Sequence, residues 1–351
     1  MDLSTDYMGL ALRNPLVASA VRDSGDADGV RALADAGVGA VVLYSLFEEQ
    51  LRREAELNAR LADAGTESFA ESLSYFPDTA DEDPGPRRYL SLLERAVAAV
   101  DVPVIASLNG VTPGGWVSYA TAMQDAGAAA IELNVYYLPG DVHISGRDVE
   151  QRHLDILARV RDAVTVPVAV KLSPYFSSTG EMALRLDEAG VDGLVLFNRF
   201  MQPDIDAEAL AVVPGVGLSS PAEAKLPRTW IALLRGRVRA ALAATTGVER
   251  PDDVVKYLLA GADVVMTASA LLRHGPEHAA VLSDGLSAWM QRKGFAAIDE
   301  FRGSLAVPPG AGEAAGGRAD YVTAMREANV SADGAWRAPA AEGRPVPGPS
   351  A

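Results

Sequence analysis

The sequence predicts a (β/α)8 TIM barrel, and three observations carry that reading. Eight apolar runs of strand length, starting near residues 15, 40, 103, 129, 167, 192, 240 and 263, alternate with helix-like patterns, which is the alternation of an α/β fold. Four of the seven separations between these starts are 23–26 residues, enough for one strand, one helix and two short connections. Ala-Gly dipeptides at 36–37, 126–127, 189–190 and 260–261 each follow a helix-like pattern and precede an apolar run, where a glycine ends a helix before a short turn. Eight strands favour a barrel over a doubly wound sheet. The first run also leads into Ser19-Ala-Val-Arg-Asp-Ser24 rather than a GxGxxG fingerprint.

Taken in order, three runs open with proline: Asn14-Pro-Leu-Val-Ala-Ser19, Val102-Pro-Val-Ile-Ala-Ser107 and Val166-Pro-Val-Ala-Val-Lys171. Helical patterns at 28–35, 116–125, 181–188 and 251–259 come before the runs 40–45, 129–135, 193–198 and 264–269. The run 240–246 carries neither mark. Wider separations place insertions after the second strand (46–101), the fourth (136–144) and the sixth (199–239). In the first of these, 48–64 is dense in Glu, Arg, Leu and Ala and predicts a long exposed helix, while 76–87, rich in Asp and Pro, predicts a loop. A closing helix is expected at 282–292 and a further short one at 295–303. Residues 1–305 thus form one barrel domain, and 306–351 a Gly/Ala/Pro-rich tail, partly disordered, with an amphipathic helix at 318–328.

Composition narrows the function classes. A net charge of −16 argues against non-specific nucleic-acid binding and against anionic membranes. No run approaches the length of a membrane-spanning helix. The acidic start Met-Asp-Leu-Ser-Thr-Asp has no signal-peptide core, so a cytoplasmic location is expected. With no cysteine there is no disulfide, thiol nucleophile or iron–sulfur ligand set.

In such barrels chemistry sits at the C-terminal ends of the strands. Those ends read Ser19; Tyr44-Ser45; Ser107-Leu-Asn109; Glu132-Leu-Asn134; Lys171; Asn198-Arg199; Thr245-Thr-Gly247; and Thr267-Ala-Ser269. A lysine ending a buried strand is costly unless paired or used; the alternative is that the strand surfaces there and Lys171 reaches water. Asn109, Asn134 and Asn198 are amides that both donate and accept, suited to a heterocycle or carboxylate rather than a metal. No His/Asp/Glu cluster has metal-ligand spacing, and His143, His153, His274 and His278 read as surface residues. The small residues ending the seventh and eighth strands suit a phosphate held on backbone N–H groups. Phosphate, amides and a lysine together suggest a flavin mononucleotide (FMN) site, with Lys171 near the N1–C2 carbonyl edge stabilising the reduced anionic ring.

The segments Asn14-Pro-Leu-Val-Ala-Ser19, Glu132-Leu-Asn134, Val168-Ala-Val-Lys-Leu-Ser-Pro-Tyr-Phe176, Phe197-Asn198, Gly217-Leu-Ser-Ser-Pro221, Gly261-Ala-Asp263 and Ala268-Ser-Ala-Leu-Leu-Arg-His-Gly-Pro276 resemble, in order, the dihydroorotate dehydrogenase family, in particular its class 1 type. The resemblance implies FMN in a barrel, two-electron chemistry on a C–C bond, and a homodimer. Carried over by position, Ala18, Ser19, Ser45, Asn109, Asn134, Lys171, Asn198, Ser219, Ser220, Thr246, Gly247, Ala268 and Ser269 would hold the cofactor. Asn134, Asn198 and Arg199 would hold the substrate. Several positions depart from the family. Its base falls on Tyr137, a phenol of reference pKa about 10, better as a proton donor than as a base; the neighbouring Tyr136 competes for that place. An asparagine becomes Pro139, a strand-2 lysine becomes Tyr44, and a glycine pair becomes Thr246-Gly247. Two other readings stand beside an FMN oxidoreductase acting on CH–CH groups of a dihydropyrimidine-like or activated-alkene substrate. They are a Schiff-base lyase using Lys171 and a non-catalytic descendant of the barrel.

Overall fold

The computed structural model describes residues 1–50, 86–110, 116–137, 140–199, 203–213, 215 and 217–310. Eight parallel strands close a barrel: β3 (Leu16–Ala18), β4 (Ala40–Phe47), β5 (Val104–Gly110), β6 (Ala130–Val135), β7 (Val168–Leu172), β8 (Gly193–Leu196), β11 (Ala241–Ala244) and β12 (Val264–Thr267). Each pairs with the next, and β12 returns to β3 through Val265↔Leu16, Met266↔Val17 and Thr267↔Ala18. The strands are buried on both faces, as a parallel sheet covered by helices requires.

The helices around the barrel are α1 (Ala27–Asp35), α2 (Pro86–Ala99), α3 (Trp116–Asp125), α4 (Gly146–Arg161), α5 (Thr179–Glu188), α6 (Lys225–Leu234) and α7 (Pro251–Ala260). After β12 come α8 (Ser269–His274) and the closing helix α9 (His278–Lys293). Side chains cap several starts: Asp26 accepts from the Gly29 N–H, Ser145 from Asp148 and Ser178 from Glu181. The predicted Ala-Gly marks do end their helices. Gly37, Gly127, Gly190 and Gly261 have φ of 100°, 94°, 84° and 116°, a region open to glycine at low cost.

Alternation along the strands sorts the core into two parts. Val17, Ala40, Val42, Ile105, Ala130, Ala169, Val195, Ala243, Val264 and Met266 fill the barrel interior, while their neighbours pack outward against the helices. A hairpin of β1 (Thr5–Tyr7) and β2 (Leu10–Leu12) puts Tyr7, Met8 and Leu12 into that interior cluster and closes the floor. Asp263 fastens the same end: it accepts from the Arg235 and Arg302 guanidinium groups at 2.7 and 3.0 Å and from the Leu242 N–H at 2.8 Å.

Several expectations need correction. The seventh strand is Ala241–Ala244, shorter than 240–246, and the closing helix is longer than 282–292. The stretch 199–239 is only partly an insertion: it holds a hairpin of β9 (Asp204–Asp206) and β10 (Ala211–Val213), then a 3-10 turn and α6, the barrel's own helix. Neither hairpin was foreseen, because three-residue strands carry too little periodicity. Most of the predicted helix 48–64, most of the loop 76–87, and the tail beyond residue 310 lie outside the described residues.

His153 is not a surface residue. It is 2% exposed on the inner face of α4, beside Ile156 and Leu157, with its ring edge against Phe176. Burial lowers its pKa, outweighing the opposing effect of the Val149 carbonyl. The native state therefore disfavours protonation more than the unfolded chain does. The stability His153 supports is complete above the unfolded value of about 6.5 and is lost as pH falls below it. Urea midpoints measured from pH 7.5 downward should fall through this range, and His153→Leu should flatten the slope; an identical slope in the variant would disprove the assignment.

Candidate functional site

A polar layer lies directly above the apolar barrel interior. The alternation that turns Ala130 and Ala169 inward also turns Glu132 and Lys171 inward, on adjacent strands. Lys171 Nζ lies 3.3 Å from Glu132 Oε1 and 3.3 Å from Ser19 Oγ. Both charged side chains are nine-tenths or more buried, at 10% and 1% exposed. Glu132 Oε2 has no hydrogen-bond partner among the described residues. A buried ion pair of this kind contributes little net stability but is costly to break.

Lys171 and Ser19 open into a cleft of about 150 Å³. Its far wall is made by the turns after β11 and β12, including Thr246, Gly247, Ala268 and Ser269. Thr246 has φ of 81°, costly for a β-branched residue. The turn is held by Thr246 Oγ1 donating to the Phe197 carbonyl at 3.2 Å and by Tyr257 Oη donating to the Thr246 carbonyl at 2.7 Å. Burial raises the Tyr257 pKa far above the usual phenol range, which keeps it a donor. Gly247 tolerates no side chain: a Cβ would stand 2.7 Å from the Ser220 carbonyl and 2.8 Å from the Ala224 nitrogen. Ser219 links the turns, donating to Ser269 Oγ at 3.0 Å and accepting from the Gly247 N–H at 3.1 Å.

Of the residues singled out in the sequence, Ser19, Lys171, Asn198, Arg199, Ser219, Thr246, Gly247, Ala268 and Ser269 line this one cleft. Asn134 stands beside it, its Oδ1 accepting from Asn198 Nδ2 at 2.6 Å. Asn109 and Asn134 are register partners, and Ser45 Oγ meets Ser107 Oγ at 2.8 Å. Four residues lie elsewhere. Ala18 is fully buried in the layer between strands and helices, because alternation points Ser19 inward instead. Tyr44 packs outward against Tyr89 at 5.2 Å, since a register shift between Val42 and Ser45 interrupts the alternation of β4. Ser220 binds Glu223 through its N–H at 2.7 Å. Tyr137 lies under the Arg152 guanidinium, 4.0 Å from its ring centroid, and lines a separate cavity with Ser173 and Tyr175. Pro139 lies outside the described residues.

Two site residues carry no role in the sequence reading. Glu132 was legible: it precedes Asn134 by two, so both face inward at one strand end. Glu223, which pairs with Arg199, left no sequence signal. Burial opposes its charge, but the Ser220 N–H and Arg199 outweigh burial and lower its pKa.

The structure thus defines a (β/α)8 barrel whose candidate site occupies the C-terminal mouth, with a buried cation at one end of a cleft and two small-residue turns at the other. The chain belongs to the dihydroorotate dehydrogenase family, whose model matches residues 2–290. It is similar to a putative dihydroorotate dehydrogenase A (fumarate) of Aeropyrum pernix, at 30% identity over 63% of this chain and 73% of the relative. It is also similar to the catalytic subunit of dihydroorotate dehydrogenase B (NAD(+)) of Methanothermobacter thermautotrophicus, at 29% identity over 86% of this chain and 97% of the relative. The corresponding subunit of Halalkalibacterium halodurans matches at 33% identity over 50% of this chain and 59% of the relative.

Removing one partner of the buried pair should be severe. Glu132→Leu should lower stability by about 3 kcal/mol, while the double variant Glu132→Leu/Lys171→Met should recover most of that loss. Urea unfolding of the two proteins measures both.

Proposed function

We propose that the protein is an FMN-dependent oxidoreductase of the dihydroorotate dehydrogenase type, acting on a CH–CH bond or activated alkene of a small molecule. The observation that carries this is the continuity of the cleft: one surface joins the Lys171 ammonium and Ser19 to the turns at Thr246-Gly247 and Ala268-Ser269. The donor set suits an elongated ligand with an electron-accepting ring at one end and a phosphate at the other, larger than the cleft of about 150 Å³ itself, so part of it would lie in the open mouth. FMN, when bound, supplies the two-electron acceptor. Lys171 would stabilise negative charge at the ring end, held in place by Glu132 and Ser19. Asn198, already tied to Asn134, would present an amide to the substrate. Tyr137 is the candidate proton group by position in the family alone, since its ring lies under Arg152 and lines a cavity separate from the cleft.

Among the described residues no helix is long and apolar enough to cross a membrane. The homodimer implied by the family resemblance has a candidate surface in the β9–β10 hairpin, where Ile205, Leu210 and Val212 are 74%, 88% and 69% exposed.

Purified protein should carry yellow chromophore, released on denaturation as near-stoichiometric FMN; a colourless protein that binds no added FMN would refute the proposal. Tyr137→Phe should retain FMN yet slow turnover roughly a hundredfold if the phenol moves the proton. Undiminished turnover removes Tyr137 from the mechanism.

A further inference from the structure

A second chamber adjoins the cleft. It has a volume of about 310 Å³ and shares Phe197, Asn198, Arg199 and Thr246 with the cleft. Its other walls come from the turn after β7 and the start of α6, mainly Pro174, Tyr175, Leu226 and Pro227. These walls are largely apolar, and Tyr175 and Leu226 stay 61% and 50% exposed. Large apolar side chains around a concave surface, with a few polar groups placed at one side, are the usual composition of a small-molecule site.

Arg199 and its partner Glu223 stand on the polar side of the chamber. Arg199 is fixed in position. Its Nη1 donates to Glu223 Oε1, and Glu223 Oε2 accepts from the Ser220 N–H at 2.7 Å and Ser220 Oγ at 3.2 Å. That arrangement uses one of the five guanidinium donors. Nε is buried without a partner among the described residues. A guanidinium pre-positioned by one carboxylate, with donors to spare, recognises a second planar anion well.

We propose that this chamber takes the apolar body of an aryl or alkyl carboxylate, with the carboxylate held by Arg199 and the rest of the molecule reaching the cleft through Asn198. The inference rests on the oxidoreductase reading and names its substrate class: an anion with an apolar body rather than a polar heterocycle. A heterocycle rich in N–H and C=O groups would gain no hydrogen bond from Pro174, Leu226 and Pro227. The alkene or saturated C–C bond to be transformed would lie between carboxylate and apolar body, on the cleft side.

The test uses purified full-length protein, isothermal calorimetry, and two probes of matched shape, cinnamate and the uncharged cinnamamide. Cinnamate is expected to bind roughly tenfold more tightly, the contribution of a hydrogen bond to a charged group. Arg199→Gln should bring the two probes to equal affinity. Because losing the Glu223 partner could unfold the rim, Leu226→Glu provides an independent arm. A negative charge on the opposite wall should weaken cinnamate more than cinnamamide and leaves the Arg199–Glu223 pair in place. Equal binding of the two probes to the unaltered protein overturns the proposal, as does a preference for cinnamate that survives both substitutions. Flavin content measured on the same samples separates the two readings. A probe contrast in protein that cannot bind FMN sustains the chamber and refutes the redox function; bound FMN without the contrast does the reverse.

Discussion

The buried contact between Lys171 and Glu132 is the constraint on which the mouth of the barrel depends. Each charge alone would be expensive at that depth, so the two must sit on neighbouring strands facing the same way. The β6–β7 register supplies this by setting Asn134 opposite Lys171 and Glu132 opposite Ala169. A slip of one residue in either strand would turn that strand's charge into the apolar layer beneath the helices and leave its partner buried alone. The register that stacks the alanines of the interior is therefore the register that delivers a cation to the cleft. Stability and site geometry are set by one alignment.

Above that layer, a tense backbone and a crowded glycine shape the far wall. Thr246 holds a positive φ under restraint from Phe197 and Tyr257, and Gly247 approaches the Ser220–Ala224 backbone too closely for a side chain. The wall is thus made largely of main chain, which presents small surfaces and N–H groups rather than long side chains. The adjoining chamber is built the other way, from large side chains around a fixed guanidinium. Together they make one mouth with two distinct surfaces.

The barrel was legible because its signals are local and repeated: apolar runs of strand length, helix patterns of matching length, and glycines where each helix stops. Strand alternation alone also separates Ser19 from Ala18 and turns Glu132 to the same side as Asn134. His153 could have been read correctly too, since it shares a helical face with Ile156 and Leu157. Other features had no local signature. The irregularity in β4 that sends Tyr44 outward is a one-residue shift in pairing. The Arg199–Glu223 pair joins residues from a strand end and a 3-10 turn. Hairpins three residues deep leave no measurable period.

Closure of the barrel by β12 against β3 has a consequence for biosynthesis. The two partners are about 250 residues apart in the chain, so the seam cannot form until nearly the whole domain has been made. Throughout translation β3 presents an open hydrogen-bonding edge, the surface on which nascent chains associate wrongly. The enclosed cylinder that protects the finished protein thus closes late, and the growing polypeptide keeps an open edge until its final strand is made.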